Sequence, residues 1–64
     1  MQDNEKVYHF RVQVLNPDKS KSIEDYQVRE LDTRFGEAMA TGKVVSYYEG
    51  LREKKTIVDY RILY

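Results

Sequence analysis

The one histidine of the chain, His9, is the residue best suited to acid–base chemistry, because imidazole titrates near neutral pH. It lies in an alternating segment beside Arg11, and a carboxylate such as Asp25 or Asp59 could orient its ring as a general base. A surface histidine in a polar cross-strand pair explains the same pattern, and we favour that interpretation. The chain has no cysteine nucleophile, and none of its serines lies in a G-x-S-x-G motif. We therefore predict no catalytic residues and no enzymatic activity.

Acidic residues are dense between Glu24 and Asp32, where a metal site could form. Glu24 and Asp25 are neighbours in a predicted strand, so their side chains point to opposite faces and do not converge on one ion. A single histidine without cysteine also excludes a zinc site built from His and Cys ligands. The glycines form neither a dinucleotide-binding fingerprint nor a P-loop. The sequence thus predicts neither a metal nor a cofactor.

Length and charge limit the partners that the chain could bind. Its 64 residues allow one domain, covering residues 1–64, and a domain this small is marginally stable without disulfides or metal. Eleven basic and eleven acidic residues give zero net charge, which removes the simplest argument for nucleic-acid or membrane binding. No apolar run approaches the roughly 20 residues of a membrane span, and the polar start does not resemble a signal peptide. We expect a cytoplasmic protein that does not bind membranes.

Two segments alternate between apolar and polar residues with the period of a β-strand. Residues 7–15 place an apolar set on one face: Tyr8, Phe10, Val12 and Val14. Residues 22–31 follow more weakly, after a turn that contains Asn16 and Pro17. The charges of this second segment are typical of an edge strand. We predict an antiparallel hairpin, with the first strand in the centre of the sheet.

The segment after the hairpin allows two interpretations. Asp32 is a candidate N-cap residue, and apolar residues at helical spacing favour one long helix that ends near Gly50: Ala40, Val44, Tyr47, Tyr48 and Leu51. Alternatively, Gly42 ends a short helix, and residues 43–49, with their adjacent valines and tyrosines, form a further strand. We favour the long helix. In both interpretations residues 56–64 alternate again and predict a final strand.

The predicted fold class is α+β, a three-stranded antiparallel sheet with one helix packed on one face in the order β-β-α-β. The alternative is β-β-α-β-β with a short helix ending near Gly42. In the favoured arrangement the helix covers the apolar face of the sheet: Tyr8, Phe10, Val12, Val14, Tyr26, Val28, Val58, Tyr60 and Ile62. The opposite face is left in water, as antiparallel sheets permit. It would carry polar and charged residues: His9, Arg11, Gln13, Asp25, Gln27, Arg29, Asp59 and Arg61.

Function follows chiefly from what the sequence excludes, and we expect a small non-enzymatic module that binds another protein. The predicted partner-binding residues combine the open face with the aromatic end of the helix: His9, Arg11, Arg29, Arg61, Tyr47 and Tyr48. Phe35 and Met39 lie on a second side of the helix and would be exposed, which usually marks a partner surface. A homodimer is a further option, and the last strand is expected to be an edge that could accept another strand.

The alternative function is a small accessory protein that binds RNA or DNA through the open sheet face. Three arginines favour it, but sheet faces bind single strands through exposed aromatic side chains, and the tyrosines here alternate onto the predicted core face. In outline only, the β-β-α-β order in a chain of this length resembles small phage-encoded proteins that bind and inhibit host machinery, and small ribosome-associated proteins. The resemblance implies a modulator or inhibitor of a host protein, encoded by a phage or mobile element. It assigns no residue a role.

Overall fold

A computed structural model of the chain describes residues 5–63. The elements follow in the order β1 (Glu5–Leu15), β2 (Lys21–Leu31), α1 (Gly36–Glu53) and β3 (Asp59–Ile62). The strands form one antiparallel sheet in the order β2-β1-β3, and α1 lies across one of its faces. The predicted β-β-α-β arrangement is confirmed, including the central position of the first strand. The short-helix alternative is wrong, because residues 43–49 lie inside α1.

The alternation of β1 decides which face of the sheet the helix covers. Phe10, Val12 and Val14 are buried beneath α1, whereas the intervening odd-numbered side chains lie on the other face. β1 pairs with β2 along its whole length, in a register that runs without interruption. β3 is much shorter and pairs only with the last four residues of β1. The sheet is therefore a long hairpin with a short third strand at one end.

The turn between β1 and β2 is held by side chains as well as by backbone. The amide of Asn16 donates to the carbonyl of Ser20 at 2.8 Å. The hydroxyl of Ser20 donates to Oδ1 of Asp18 at 2.6 Å, and its amide donates to the same oxygen at 2.9 Å. Both bonds lower the pKa of the Asp18 carboxyl, and the bond from the Ser20 hydroxyl has the larger effect. The predicted turn is confirmed, and its closure supports the register of the hairpin.

α1 packs on the sheet through every fourth residue of its first three turns. Gly36, Ala40, Val44 and Tyr48 are buried, which follows from the helical repeat of 3.6 residues. Gly36 lies closest to the sheet. A Cβ atom added there would clash with the carbonyl oxygen of Leu31 and would lie 2.6 Å from the hydroxyl of Tyr8. The close approach of helix and sheet at this end thus requires glycine.

Both ends of the helix differ from the predicted ends. The N-cap residue is Phe35 and not Asp32, because a turn in which the amide of Gly36 donates to the carbonyl of Thr33 at 2.9 Å separates β2 from α1. Gly50 does not end the helix, which continues to Glu53. The helix ends where Lys55 adopts a left-handed conformation with φ of 64°. The amides of Lys55 and Thr56, which follow the helix, then donate to the carbonyls of Arg52 and Leu51 in its last turn, the pattern of a Schellman motif.

The hydrophobic core contains most of the predicted residues, but Ile57 takes the place predicted for Val58. Val58 is 51% exposed, whereas its neighbour Ile57 is 6% exposed and belongs to the core. The sequence predicts alternation from residue 56, but β3 begins only at Asp59. The side chains of the residues before it therefore need not alternate between the two faces of the sheet. Tyr47, predicted in the buried helix stripe, is also largely exposed. Tyr64, predicted at the end of the last strand, lies outside the described residues.

A buried carboxylate joins β2 to the helix. The side chain of Glu30 is 8% exposed, and the ammonium of Lys43 lies 2.6 Å from its Oε2. The backbone amide of Leu31 donates to Oε1 at 3.1 Å. The hydrogen bond from Lys43, followed by that from the Leu31 amide, lowers the pKa of the Glu30 carboxyl. The Glu30 carboxylate stays ionised although it is buried, because Lys43 pairs with it.

Two of the three glycines of the helix, Gly36 and Gly42, provide a matched test of the packing. Gly36→Ala is expected to reduce the free energy of unfolding by about 2 kcal/mol or more, because the new methyl group displaces the sheet. Gly42→Ala is expected to raise it by about 0.5–1 kcal/mol, since alanine is a better helix former and an added Cβ at this position meets nothing within 4 Å. Urea denaturation of the three proteins measures both changes. If both substitutions changed the free energy of unfolding by the same amount and in the same direction, the close packing of Gly36 on the sheet would be contradicted.

Removal of the Lys43 ammonium is expected to destabilise the protein in a pH-dependent way. The folded-state pKa of Glu30 is lowered, so the pairing stabilises the protein above the ordinary pKa of 4.5 and is lost as pH falls through the folded value. The stability difference between wild type and Lys43→Met should therefore be largest at neutral pH and shrink in acid. Urea denaturation across the pH range measures it, with the exposed Lys54→Met as control. A difference that does not vary with pH would exclude this role for Lys43.

Candidate partner-binding surface

The open face of the sheet is formed by the odd-numbered residues of the three strands. The pairing register places Arg61 of β3 opposite Gln13 of β1, and Arg29 of β2 opposite Val7. His9 and Arg11 lie between them on β1. The four predicted partner-binding residues of the sheet thus share this face, while the two predicted on the helix, Tyr47 and Tyr48, lie on the other side of the sheet.

Positive and negative charges alternate across the open face. Nε of Arg11 lies 3.8 Å from Oδ1 of Asp25, and Nε of Arg29 lies 3.9 Å from Oε1 of Glu5. All these side chains are at least half exposed, so each ion pair adds little to stability. Because Arg11 and Arg29 each have a carboxylate beside them, the face does not present a continuous positive field. It presents donors and acceptors at defined positions.

His9 lies opposite Gln27 and not opposite a carboxylate. Asp25 is the Cα partner of Arg11 and Asp59 that of Leu15, so neither carboxylate is the direct cross-strand neighbour of His9. Beside His9 a shallow depression of 280 Å³ opens to solvent. Among residues 5–63, no three His, Asp or Glu side chains converge as metal ligands would. The arrangement offers hydrogen bonding to a partner at the surface.

Apolar side chains surround the charged centre of the open face, and the sequence-based site did not include them. Ile23 and Leu31 of β2 are 52% and 51% exposed, and Val7 and Leu63 are also exposed. All four have odd numbers, so the alternation of the strands contained the signal. Each of these residues lies at or near the end of a predicted strand, where alternation is a weaker guide to exposure. The face is therefore amphipathic, with an apolar rim.

The aromatic end of the helix has one exposed and one buried tyrosine. The ring of Tyr47 packs 5.0 Å from that of Tyr26 and 5.0 Å from that of Tyr48, yet Tyr47 remains 47% exposed. Tyr48 is 1% exposed and donates its hydroxyl to Oε1 of Glu24 at 2.8 Å. Burial, followed by that bond, raises the pKa of the Tyr48 hydroxyl. Tyr48 therefore belongs to the core, and of the two tyrosines only Tyr47 is exposed.

The exposed stripe of the helix consists of Phe35, Met39 and Tyr47, and Lys43 interrupts it. Phe35 is 58% exposed and Met39 is 48% exposed, which confirms the expectation for both. The guanidinium of Arg34 lies 4.9 Å above the ring of Phe35. Since Lys43 pairs with Glu30 and Tyr47 contacts Tyr26, the stripe lies on the β2 side of the helix. It runs beside the outer edge of the sheet.

A polar network holds β3 to the other side of the helix. The hydroxyl of Tyr60 donates to Oε2 of Glu49 at 2.7 Å. Arg52 lies 2.9 Å from Oε1 of Glu49 and 3.4 Å from Oδ1 of Asp59. The negative charge of Glu49 is the main reason that the pKa of the Arg52 guanidinium is raised. Because Tyr60 faces the helix, the next residue, Arg61, faces the open side.

Comparisons with known proteins add no assignment. In the part of the chain that the structure describes, no helix is both long enough and apolar enough to span a membrane. No protein-family model, no curated protein and no solved structure matches the chain at a significant level. Its function is therefore argued from the surfaces described above.

Proposed function

We propose that the protein is a small non-enzymatic module that binds a partner protein through the open face of its sheet. The observation that supports this most is that arginines and exposed apolar side chains are neighbours there. Arg29 is the Cα partner of Val7, and the amide of Leu63 donates to the carbonyl of Arg11 at 2.7 Å. Cross-strand neighbours on one face lie about 5 Å apart at Cβ. Arginine beside an apolar contact is typical of the residues that dominate binding energy in protein interfaces.

The charge pattern favours a protein over a nucleic acid as the partner. A nucleic acid would require cations that are free to neutralise phosphates, whereas Arg11 and Arg29 each lie beside a carboxylate. Binding of single strands also uses exposed aromatic rings on the sheet. Here Tyr8, Tyr26 and Tyr60 lie on the helix side, by the register of the strands. A protein surface with alternating charges matches this face better.

The specific form of the proposal is a modulator or inhibitor of a host protein, encoded by a phage or mobile element. A two-layer fold with a preformed β-face loses little conformational entropy on binding, which suits a compact inhibitor. The helix side is occupied by the core, so the open face and the helix stripe are the surfaces available for contact.

Paired arginine substitutions test the open face. Arg11→Ala/Arg61→Ala is expected to weaken binding to the partner protein about tenfold or more, because it removes two of the three arginines of the open face. Immobilised wild type and variant are compared for the proteins that they retain from extracts of candidate hosts. The protein that distinguishes them is then purified, and its Kd for both forms is measured by calorimetry.

Lys6→Ala/Lys54→Ala is the matched control, since it removes two exposed cations that do not lie on the open face and should leave the Kd unchanged. Equal retention by wild type and the open-face variant would overturn the proposal. A mixed single-stranded oligonucleotide at low salt serves as the second probe. If the wild type retains it and Arg11→Ala/Arg61→Ala does not, the face binds nucleic acid and the proposal is wrong.

A further inference from the structure

We infer that β2 pairs with β2 of a second copy of the chain, so that the protein is a two-fold symmetric dimer. The pairing would join the two three-stranded sheets into one continuous sheet. This inference goes beyond the proposed function, because it concerns the edge of the sheet and not the binding of another protein to its face. The prediction from sequence placed strand addition at the last strand, whereas the structure favours the opposite edge.

The outer edge of β2 carries backbone groups that point away from the sheet. The carbonyl of Arg11 accepts from Leu63, so the odd-numbered residues of β1 direct their backbone groups toward β3. The even-numbered residues of β1 therefore bond to their even-numbered partners in β2. In β2 the groups of Asp25, Gln27 and Arg29 consequently face outward. Within residues 5–63 no strand pairs with this edge.

The β2 edge lacks most of the features that prevent edge strands from pairing. It is 11 residues long and contains neither proline nor glycine, and its register with β1 shows no bulge. The β3 edge, in contrast, is only four residues long. Charged side chains on β2 are its remaining protection. Whether they repel a second copy depends on the register of pairing.

One antiparallel register turns those charges into attractive pairs. When Gln27 faces Gln27 of the partner subunit, Asp25 faces Arg29 of the partner subunit on the open face, and the symmetry forms this pair twice. Ile23 then faces Leu31 of the partner subunit, again twice, and both residues are about half exposed in the single chain. Each Asp25 already lies 3.8 Å from Arg11, so the new ion pairs extend existing ones across the seam.

Neighbouring registers that keep the outward groups paired lose this match. Centring the pair on Tyr26 places Asp25 opposite the partner's Gln27 and Arg29 opposite the partner's Ile23, which removes the ion pairs and the apolar pairs together. Centring it on Asp25 places two like carboxylates opposite each other. The β2 sequence is thus self-complementary in one register, which is the property that an isologous interface requires. This argues for a second copy as the occupant.

The same register has one unfavourable contact, on the helix side. Glu24 would face Glu30 of the partner subunit, a pair of like charges. Each carboxylate has a partner within its own chain, because Glu24 accepts from Tyr48 at 2.8 Å and Glu30 pairs with Lys43 at 2.6 Å. These contacts reduce the repulsion. The pairing also brings Met39 and Tyr47 of the exposed helix stripe toward the seam, because the stripe lies beside the same edge.

The backbone ladder of the dimer ends before Leu31. Its amide donates to Oε1 of Glu30 at 3.1 Å, and its carbonyl accepts from the amide of Thr33 at 2.9 Å. The intermolecular backbone bonds are therefore formed by Asp25, Gln27 and Arg29, and Leu31 contributes its side chain. The seam is short, so the ion pairs at its ends decide the register.

Charge reversal with complementation tests the dimer. Wild type in the range of about 0.05–0.1 mM is expected to sediment mainly as a dimer. Asp25→Arg and Arg29→Asp should each weaken dimerisation about tenfold or more, since each places like charges opposite each other twice. An equimolar mixture of the two variants should form a heterodimer, because every facing pair is again of opposite charge. Glu53→Arg, a matched reversal outside the seam, should remain dimeric.

The proposal fails if the wild type is a monomer in that range, if either seam variant dimerises as tightly as the wild type, or if the mixture stays monomeric. Circular dichroism of each variant shows whether it is folded. These outcomes are independent of partner capture by the open face, since they report only the mass of the protein itself.

A single introduced cysteine tests the register. The chain has no cysteine, so Gln27→Cys can form a disulfide only with Cys at the same position of the other copy. Cα atoms of facing hydrogen-bonded residues lie about 5.5 Å apart, within the range that a disulfide spans. Gln27→Cys should cross-link under mild oxidation much faster than Ser46→Cys on the helix surface. Equal rates for the two variants would rule out this register.

Discussion

One helix can cover only one face of a three-stranded sheet, and the other features of this protein depend on that constraint. The alternation of β1 puts Phe10, Val12 and Val14 under the helix, so the remaining strand residues must face water. Without cysteine the chain has no disulfide, so the contacts of this single layer are the main source of its stability. Gly36 allows the two layers to approach closely at one end, and Tyr48 fills the space between them at the other.

The open face and the β2 edge are two consequences of the same small size. A larger domain would cover the second face with further helices and flank β2 with another strand. Here the rim of the open face exposes apolar side chains next to arginines, and β2 exposes outward backbone groups along its length. The charges on both surfaces alternate in sign, which explains how a chain of zero net charge can still present specific contacts.

The elements that follow a single local period were predictable from the sequence. β1 alternates cleanly, and the arginines of the open face were located through that pattern. Other features depend on tertiary contacts that no local pattern records. The helix continues through Gly42 because the buried contacts of Ala40 and Val44 outweigh the low helix propensity of glycine. The end of the helix depends on the left-handed Lys55. Tyr47 and Tyr48 are adjacent and point about 100° apart on a helix, so only one of them could be buried.

The shortness of β3 also affects the order in which the chain folds. β1 and β2 are joined by a tight turn, so their long ladder requires closure of only a small loop and can form within microseconds. The pairing of β1 with β3, such as Val12 with Ile62, joins residues that are far apart in the sequence. It gains only four paired positions. That closure has a high entropic cost and is favourable only once α1 is docked and Glu49 is in place to receive Tyr60. We therefore expect β3 to be the last strand to join during folding and the first to separate when the native state opens locally.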